Sequence, residues 1–441
     1  MGNRQNQKML HIAIRIICAV ILVIAVVSIL KAKGVFSQKQ NMPATVSEET
    51  DTSDKADLPE NNAPAEEEAT AVTPEAVAEE QEAEPEELTP AENLKAYLEN
   101  DPRTPAKAKG IYVTGPIAGT VNTFPELEEL VGTTELNTMV IDIKNDSGEI
   151  TYKIDNELAK EIGADIRYIP NPEELIKRLK EEGIYLIARV VAFKDPLLAE
   201  KKPEFAIKNP DGTVFHDSSD LAWVNPYKKE YWDYLLDVSK AAVELGFDEI
   251  QYDYIRFSTA KGISEADFGP EANTMTREEA VNGFLTYAYE NLAPLGVYVS
   301  VDVFGTIITN KTDGELIGQN FTEMAKHCDY ICPMVYPSHY VETSYGIDIP
   351  DANPHDLIFA AMTDAVNVLN EEADKTGERM AKLRPWYQAF TASWVNAYIS
   401  YTGKDLRSQI TVGEEAGVDE WFMWNAVNSY VATQDGLHKE N

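Results

Sequence analysis

The residues with the clearest chemical potential lie in the stretch 246–258, whose sequence is GFDEIQYDYIRFS. The pattern predicts a short strand over 247–252 that follows a glycine and ends at two charged residues, Asp253 and Arg256. Placing a carboxylate and a guanidinium among aromatic and aliphatic neighbours costs free energy of desolvation, which favours a role for the two charges in pairing, binding or catalysis. In parallel α/β proteins, active sites form at the carboxyl ends of strands. The stretch therefore predicts a site carboxylate, with a structural Asp–Arg pair as the alternative.

Other predicted strands deliver polar and aromatic residues to their carboxyl ends in the same way. Aromatic rings stack on the apolar faces of sugars, whereas carboxylate, amide and guanidinium groups bond to the hydroxyls. The set therefore favours a polysaccharide or oligosaccharide as the substrate. We predict that the substrate-binding residues are Lys144, Arg189, Arg256, Tyr336, His339, Gln388, Trp424 and Asn425.

Hydrolysis of a glycoside needs two carboxyl groups, one on each side of the scissile bond. Asp253 and Asp302 end neighbouring predicted strands, and neighbouring strands lie about 4.8 Å apart, so the short separation of a retaining pair is within reach. The apolar neighbours of Asp302 predict a raised pKa and the role of general acid. Asp253, beside Arg256, is expected to stay ionised and to act as the nucleophile. Asp142 is a third catalytic candidate for either role.

The elements that must position these residues alternate between strand and helix. Glycines close several predicted helices directly before an apolar strand, where their left-handed conformation turns the chain back. Eight strands over roughly 330 residues are typical of a (β/α)8 TIM barrel. An open doubly wound sheet is the rival, but no glycine-rich phosphate loop follows the first strand. The predicted strands are 110–114, 137–144, 184–192, 247–253, 297–303, 330–336, 385–390 and 420–424.

Two other functions remain open at the level of sequence. A catalytically silent barrel could bind glycan through Trp424, Tyr336 and Trp386. A metal-dependent hydrolase would need a cluster such as His339 with Asp253 or Asp302. No cofactor is predicted, and the three cysteines of the chain suggest no disulfide framework.

Composition divides the chain into segments. Residues 1–8 are predicted to be a cytoplasmic tail, 9–31 an apolar transmembrane anchor, 32–104 a disordered acidic linker, and 105–435 the barrel. The net charge is −36, and residues 41–100 contain 18 acidic and 2 basic residues. This balance argues against nucleic acid as a partner. We expect a single-pass protein of the cell membrane with its barrel outside the cytoplasm, an uncleaved anchor being favoured over a signal peptide. No obligate protein partner is evident.

Several of these motifs together resemble a family of glycosyl hydrolase domains of unknown function found in bacterial envelope proteins. The resemblance covers about residues 107–430, and the family is distantly similar to α-amylase-type TIM barrels. In those enzymes an Asp ending the fourth strand is the nucleophile and a Glu ending the fifth strand is the acid. Asp253 matches the first position, and Asp302 stands where the Glu is expected. The motifs are KGIY at 109–112, VIDIK at 140–144, AR at 188–189, WVNP at 223–226, FDEIQYDYIRF at 247–257, VDVFG at 301–305 and PMVYPSHY at 333–340.

Overall fold

The computed structural model describes residues 88–438, which form a closed sheet of parallel strands surrounded by helices. The strands are β1 (Lys109–Val113), β2 (Thr138–Lys144), β3 (Tyr185–Val191), β4 (Glu249–Asp253), β5 (Tyr298–Phe304), β6 (Tyr330–Met334), β7 (Lys382–Leu383), β8 (Trp386–Gln388) and β9 (Trp421–Trp424). The helices are α1 (Pro90–Glu99), α2 (Gly115–Ala118), α3 (Phe124–Thr133), α4 (Glu157–Ile162), α5 (Pro172–Glu181), α6 (Pro196–Lys201), α7 (Lys229–Leu245), α8 (Arg277–Leu292), α9 (Lys311–Ile317), α10 (Phe321–Lys326), α11 (Pro354–Thr376) and α12 (Gly403–Glu415). Short 3₁₀ turns lie at Pro203–Phe205, Ile263–Glu265, Pro270–Asn273, Ala293–Leu295, Gly305–Ile308, Pro337–His339, Ser344–Gly346, Pro350–Ala352 and Gln434–Leu437.

The strand order closes the sheet into a barrel. The strands pair in the order β5, β4, β3, β2, β1, β9, β8, β6, and β6 pairs in turn with β5. Every one of these pairings is parallel, and β7 pairs with β6 directly before β8, so β7 and β8 share the seventh position. The described residues therefore form an eight-stranded parallel barrel with surrounding helices, consistent with the predicted (β/α)8 fold. An open doubly wound sheet would leave two unpaired edges.

The seventh strand position is split by Arg384 and Pro385. Pro385 has no N–H to donate, so it interrupts the ladder. Arg384 is fully buried, and its Nη1 donates to both carboxyl oxygens of Glu249 at 2.9 and 2.8 Å, while its Nε donates to Glu420 at 2.9 Å. Glu249 begins β4, so this ion cluster fills the amino-terminal end of the barrel and leaves the opposite end for a site.

Two apolar cores lie on opposite faces of the sheet. The larger one joins the outward-facing side chains of the strands to the helices, and the smaller one fills the barrel interior. On β5, for example, Val299, Val301 and Val303 face the helices, while Tyr298 belongs to the interior cluster. Because side chains alternate along a strand, Asp302 points into the barrel at its carboxyl end.

The amino-terminal part of the domain extends further than predicted. Helix α1 lies inside the stretch 32–104, and Thr89 begins it with a capping box in which Glu92 accepts the backbone N–H of Thr89 at 2.9 Å. Beyond the helix, Arg103 forms an ion pair of 2.9 Å with the buried Asp329. The predicted linker boundary at 104 is therefore wrong. The acidic composition of the whole tract concealed a local capping signal and a specific ion pair.

The predicted tail 1–8, the anchor 9–31 and the linker residues 32–87 lie outside the described residues. Among residues 88–438, no helix is both long enough and apolar enough to cross a bilayer. The membrane anchor stays a prediction from the sequence.

Candidate active site

The strand register brings the predicted site carboxylates to one level of the barrel. Asp142 of β2 is paired directly with Arg189 of β3. β4 and β5 are paired up to the residues just before Asp253 and Asp302, so these two carboxyl groups leave neighbouring strands side by side. All four residues are at least 95% buried. The mouth of the barrel therefore holds three carboxyl groups around one guanidinium.

Arg189 bridges two of the carboxylates. Its Nη1 donates to Asp142 at 2.6 Å, while its Nε and Nη2 donate to Asp253 at 3.1 and 2.5 Å. Although burial opposes a charged guanidinium, the charges of Asp142 and Asp253 raise the pKa of Arg189 well above its usual value. A doubly bonded arginine is a rigid spacer between the two acids. Arg189 was predicted to bind substrate, but its observed hydrogen bonds orient the carboxylates of Asp142 and Asp253.

Asp142 is held on both of its oxygens. Oδ1 accepts from Arg189, and Oδ2 accepts from the hydroxyl of Tyr112 on β1 at 2.5 Å. Burial raises the pKa of Asp142, and Arg189 and the Tyr112 hydroxyl oppose this shift. Asp142 lies on β2, which β3 and β4 separate from β5, so the two carboxyl groups that leave adjacent strands are Asp253 and Asp302.

Asp302 is the most strongly perturbed carboxyl group of the mouth. Burial, and after it the negative charge of Asp253, raises the pKa of Asp302 well above its usual range. Arg189 and the indole N–H of Trp386, which donates to Asp302 Oδ1 at 2.7 Å, oppose the shift. The direction is the one predicted from the apolar neighbours of Asp302. Its second cause, the charge of Asp253, could come only from the tertiary arrangement.

The backbone after Asp253 is strained. Tyr254 adopts φ 50°, a left-handed conformation that a residue with a bulky side chain rarely adopts, and this typically costs about 1–3 kcal/mol. The conformation allows the Tyr254 N–H to donate to Asp253 Oδ1 at 2.5 Å. Together with Arg189 on Oδ2, this bond fixes the Asp253 carboxylate in one orientation.

Arg256 is not the partner of Asp253, contrary to the sequence prediction. Its Nη1 donates to the carbonyl oxygen of Phe257 at 2.9 Å. The guanidinium carbon lies 4.6–5.2 Å from the ring centres of Trp223, Tyr254 and Phe304. The chain turns sharply at Tyr254, and this turn carries Arg256 away from the carboxylate that precedes it by three residues.

Aromatic side chains line the same mouth. Trp424 stacks on Tyr112 with ring centres 4.1 Å apart, and Arg189 lies 5.4 Å from the centre of the Trp424 ring. Tyr336 is also buried at this end of the barrel. Burial, followed by the negative charges of Asp302 and Asp253, raises the pKa of its hydroxyl. These rings and acids therefore lie together at the carboxyl end of the barrel.

At the rim, His339 lies edge-on to Tyr336, with ring centres 5.3 Å apart, and its Nδ1 is 3.0 Å from the Ser338 hydroxyl. It is exposed, and it is the outermost of the predicted site residues that the structure gathers at the mouth. Its neighbour Phe390 lies edge-on to the same imidazole at 6.3 Å.

Lys144 does not belong to the site. It is fully buried, and its ammonium group lies 2.9 Å from Asp195 and donates to the Val191 carbonyl oxygen at 2.9 Å. Asp195 also accepts from Tyr231 at 3.0 Å and caps α6. The strand register shifts between Asp142 and Lys144, and the lysine is engaged in this internal ion pair. The predicted substrate contact of Lys144 is therefore corrected to a structural role.

Gln388 and Asn425 are likewise committed to the protein. The Gln388 side chain donates to Asp351 and accepts from the Ser338 hydroxyl at 2.8 Å, which ties two loops of the mouth together. The Asn425 side chain donates to the carbonyl oxygens of Ala389 and Ser429 at 2.8 and 2.7 Å. The predicted substrate contacts of Gln388 and Asn425 are therefore corrected to positioning roles, because both side-chain amides are already hydrogen-bonded to other groups of the protein.

Sequence reasoning missed the two hydrogen-bond donors that hold the acids, Tyr112 and Trp386. Both are inward-facing aromatic residues, and the alternation of β1 offered a signal for Tyr112, which lies between the outward-facing Ile111 and Val113. Trp386 is 1% exposed, so its predicted use as a stacking platform for glycan is wrong. Its indole serves Asp302 instead.

The metal-dependent alternative finds no matching geometry in the described part of the chain. Residues 88–438 contain no group of three His, Cys, Asp or Glu side chains that could hold a metal ion. Cys328 and Cys332 are buried, and burial raises the pKa of each thiol, so neither has the character of an activated nucleophile.

A parallel eight-stranded barrel with paired acids and aromatic rings at its carboxyl end defines a protein of the glycoside hydrolase class. The sequence of residues 110–430 matches the model of the family described as "Putative glycosyl hydrolase domain", and the chain belongs to this family. The predicted resemblance is thereby confirmed. No protein with a curated description matches the chain.

The solved structures that are similar to this chain include the following two. A hypothetical protein from Ruminiclostridium thermocellum ATCC 27405 is 39% identical, with a TM-score of 0.41, over 44% of this chain and 97% of its own. The PgaB (BpsB) glycoside hydrolase domain from Bordetella bronchiseptica is 12% identical, with a TM-score of 0.52, over 76% of this chain and 100% of its own. The second similarity supports the barrel fold.

Proposed function

We propose that this domain is a retaining glycoside hydrolase in which Asp253 is the nucleophile and Asp302 is the general acid and base. The observation that carries the proposal is the contrast between two neighbouring carboxyl groups. Asp253 is ion-paired with Arg189, whereas the pKa of Asp302 is raised well above its usual range. Two carboxyl groups in opposite protonation states are what the first step of glycoside hydrolysis requires.

In the first step, the ionised oxygen of Asp253 attacks the anomeric carbon of the bound sugar. The glycosidic bond breaks as the ester to Asp253 forms, and the leaving oxygen takes the proton of Asp302. Asp302 becomes a carboxylate at this moment, and the indole N–H of Trp386 stabilises the new charge. Asp253 loses its charge at the same time, which removes the repulsion between the two acids.

In the second step, the Asp302 carboxylate takes a proton from water as the water oxygen attacks the anomeric carbon. The ester bond breaks, Asp253 regains its charge, and Asp302 regains its proton. The raised pKa of Asp302 favours this proton return. Attack twice on the same carbon releases a sugar with the configuration of the substrate.

Asp142 has a different role in this proposal. Both of its oxygens are engaged, by Tyr112 and Arg189, so it holds the arginine that orients Asp253. It is a positioning residue, and the nucleophile is the neighbouring carboxylate that Arg189 also bonds. The silent glycan-binding barrel would need no pair of acids in opposite protonation states.

The test is to screen envelope glycans and aryl glycosides with the wild type, and then with Asp253→Asn, Asp302→Asn and Asp142→Asn. We expect Asp253→Asn and Asp302→Asn to lose at least 10²–10⁴-fold in kcat, the usual contribution of acid–base assistance. Asp142→Asn should retain measurable activity with the same stereochemistry. Proton NMR of the first released sugar should show retention. Inversion, or full activity of the Asp253 and Asp302 variants, would overturn the assignment.

We also infer that the barrel is anchored to the cell membrane outside the cytoplasm, where it acts on a cell-envelope or environmental polysaccharide. The support is the apolar run at 9–31 and the acidic tract that follows it. Full-length protein should remain with washed membranes and be released by detergent, while a chain beginning at residue 88 should be recovered without membranes. Recovery of intact full-length protein in the aqueous fraction would contradict the anchor.

A further inference from the structure

The guanidinium of Arg256 is enclosed by aromatic rings at the mouth of the barrel. Its carbon lies 4.6 Å from the ring centre of Phe304, 5.0 Å from that of Trp223 and 5.2 Å from that of Tyr254. Phe304 ends β5, and Tyr254 directly follows the proposed nucleophile Asp253. Arg256 is only 7% exposed, so the cation has lost most of its water.

Very little in the protein compensates for this loss. The only hydrogen-bond acceptor of the Arg256 side chain among residues 88–438 is the carbonyl oxygen of Phe257, and no carboxylate in that part of the chain lies within 4 Å of the guanidinium. Burial lowers its pKa, and the more distant charges of Asp253 and Asp217 only partly oppose this. A buried charge without an ion-pair partner is strongly unfavourable.

The other deeply buried arginines of the domain differ in this respect. Arg189 is bonded to two carboxylates, Arg384 to Glu249 and Glu420, and Arg103 to Asp101 and Asp329. The fold therefore supplies carboxylate partners to the other deeply buried arginines. Arg256 lies in the candidate active site and has no such carboxylate partner among residues 88–438.

The free edge of the guanidinium has the shape of a carboxylate site. Nη1 is used by the Phe257 carbonyl oxygen, and the edge formed by Nε and Nη2 has no acceptor among the described residues. Neither of these two nitrogens is sealed from solvent. Two parallel N–H groups bond a planar carboxylate in bidentate fashion, and lysine cannot reproduce this geometry.

We propose that the substrate is an acidic glycan whose sugar carboxylate binds the Nε–Nη2 edge of Arg256 at the mouth of the barrel. This inference rests on the proposed function and specifies the substrate class of the same site. The three rings orient the guanidinium and exclude water around it, which strengthens the ion pair with a bound carboxylate.

The local charge agrees with an anionic ligand although the chain as a whole carries −36. With Asp302 protonated, the negative charges of Asp142 and Asp253 are balanced by Arg189 and Arg256. At physiological salt, charges beyond about 8 Å are largely screened, so the groups lining the mouth decide whether an anion binds there.

The experiment measures binding by calorimetry in the Asp302→Asn background, which prevents turnover. The probes are oligomers of glucuronic, galacturonic and mannuronic acid, the carboxyl-reduced counterpart of each, and a glycerol phosphate oligomer as an alternative anion. We expect at least one uronate to bind better than its reduced counterpart. Arg256→Gln should weaken that uronate about ten- to a hundredfold, as loss of a charge-assisted hydrogen bond does, and leave the reduced sugar nearly unchanged. Arg256→Lys should restore only part of the loss.

Arg277 provides a matched control. Its guanidinium also lies over two rings, those of Phe257 and Phe268 at 5.1 and 5.2 Å, and also donates to a backbone carbonyl, that of Leu316. If arginines of this kind merely brace loops, Arg277→Gln and Arg256→Gln should weaken acidic and reduced sugars alike. We expect Arg277→Gln to leave the preference for the uronate intact.

Three results would overturn the inference. The first is that no uronate binds better than its reduced form, the second is an equal loss for both sugars in Arg256→Gln, and the third is a preference for the phosphate oligomer. Failure of the proposed catalysis would give a different result. The protein would still prefer the uronate through Arg256, but the wild type would cleave none of these sugars. Binding and cleavage are thus judged separately.

Discussion

The hydrogen bond from Trp386 to Asp302 leads to a quantitative prediction for the variant Trp386→Phe. The indole N–H donates to Asp302 Oδ1 at 2.7 Å and is one of the groups that hold the pKa of this acid down. Phenylalanine keeps an aromatic ring against Phe422 and Trp424, the aromatic neighbours of Trp386, but has no donor. The substitution therefore removes a proton donor from the carboxyl group and adds no charge.

The expected shift follows from the two protonation states of Asp302. A hydrogen bond to an ionised group contributes about 1.5–3 kcal/mol, and one to a neutral group about 0.5–1.5 kcal/mol. The difference of about 1–1.5 kcal/mol corresponds to about one pKa unit. Because the bond favours the ionised form, its loss raises the pKa of Asp302. The basic limb of kcat/KM, where the acid loses its proton, should move about one unit to higher pH.

The assay is the pH profile of kcat/KM on an aryl glycoside that the wild type cleaves, with Trp421→Phe as the control. Trp421 is equally buried, but its indole N–H has no acceptor among residues 88–438. Trp421→Phe therefore leaves a similar cavity without removing a hydrogen bond, and its profile should match that of the wild type. A basic limb that stays in place in Trp386→Phe, or that moves to lower pH, would refute the assignment of Asp302 as the acid.

Two further predictions concern stability. Asp302→Asn should stabilise the protein relative to the wild type, and increasingly so as the pH rises above about 4. In the wild type, the native Asp302 keeps a proton that the unfolded chain has lost, so folding becomes less favourable by about 1.4 kcal/mol per pH unit up to the native pKa. Thermal melts that show no growing difference from the wild type between pH 4 and 7 would contradict a raised pKa. Lys144→Met should destabilise by about 3–5 kcal/mol, because it leaves Asp195 buried without its partner. Urea unfolding checks this, with Lys107→Met in the exposed pair with Asp419 as the control that should change little; equal losses in both variants would argue against a special cost at the buried pair.

Local signals in the sequence were sufficient for most of the barrel. Helix α11 runs from Pro354 at its first turn to Thr376, the residue before Gly377, where φ is 71°. Glycine there adopts the left-handed conformation that ends a helix, and this preference is a property of the residue itself. The predicted strands agree with the observed ones within a few residues for the same reason, because alternation and turn residues act over short distances.

The same local reasoning failed where a long-range contact decides the structure. The ion pairs of Arg384 with Glu249 and Glu420, which are far away in sequence, hold this residue of the seventh strand position inside the barrel. Arg103 extends the folded domain through its pair with Asp329. Neither partner can be read from the residues on either side of the arginine.

The sequence by itself determined that Asp142, Asp253 and Asp302 would lie at or near the carboxyl ends of barrel strands, because the apolar runs around them favour buried strands. Only the tertiary structure decided which cation each acid meets. Arg256, three residues from Asp253 in the chain, turns away into an aromatic cage, and Arg189 from the neighbouring strand takes its place. The physical reason is that strand periodicity fixes the direction of a side chain locally, whereas burial, charge and hydrogen-bond partners depend on which strands lie side by side.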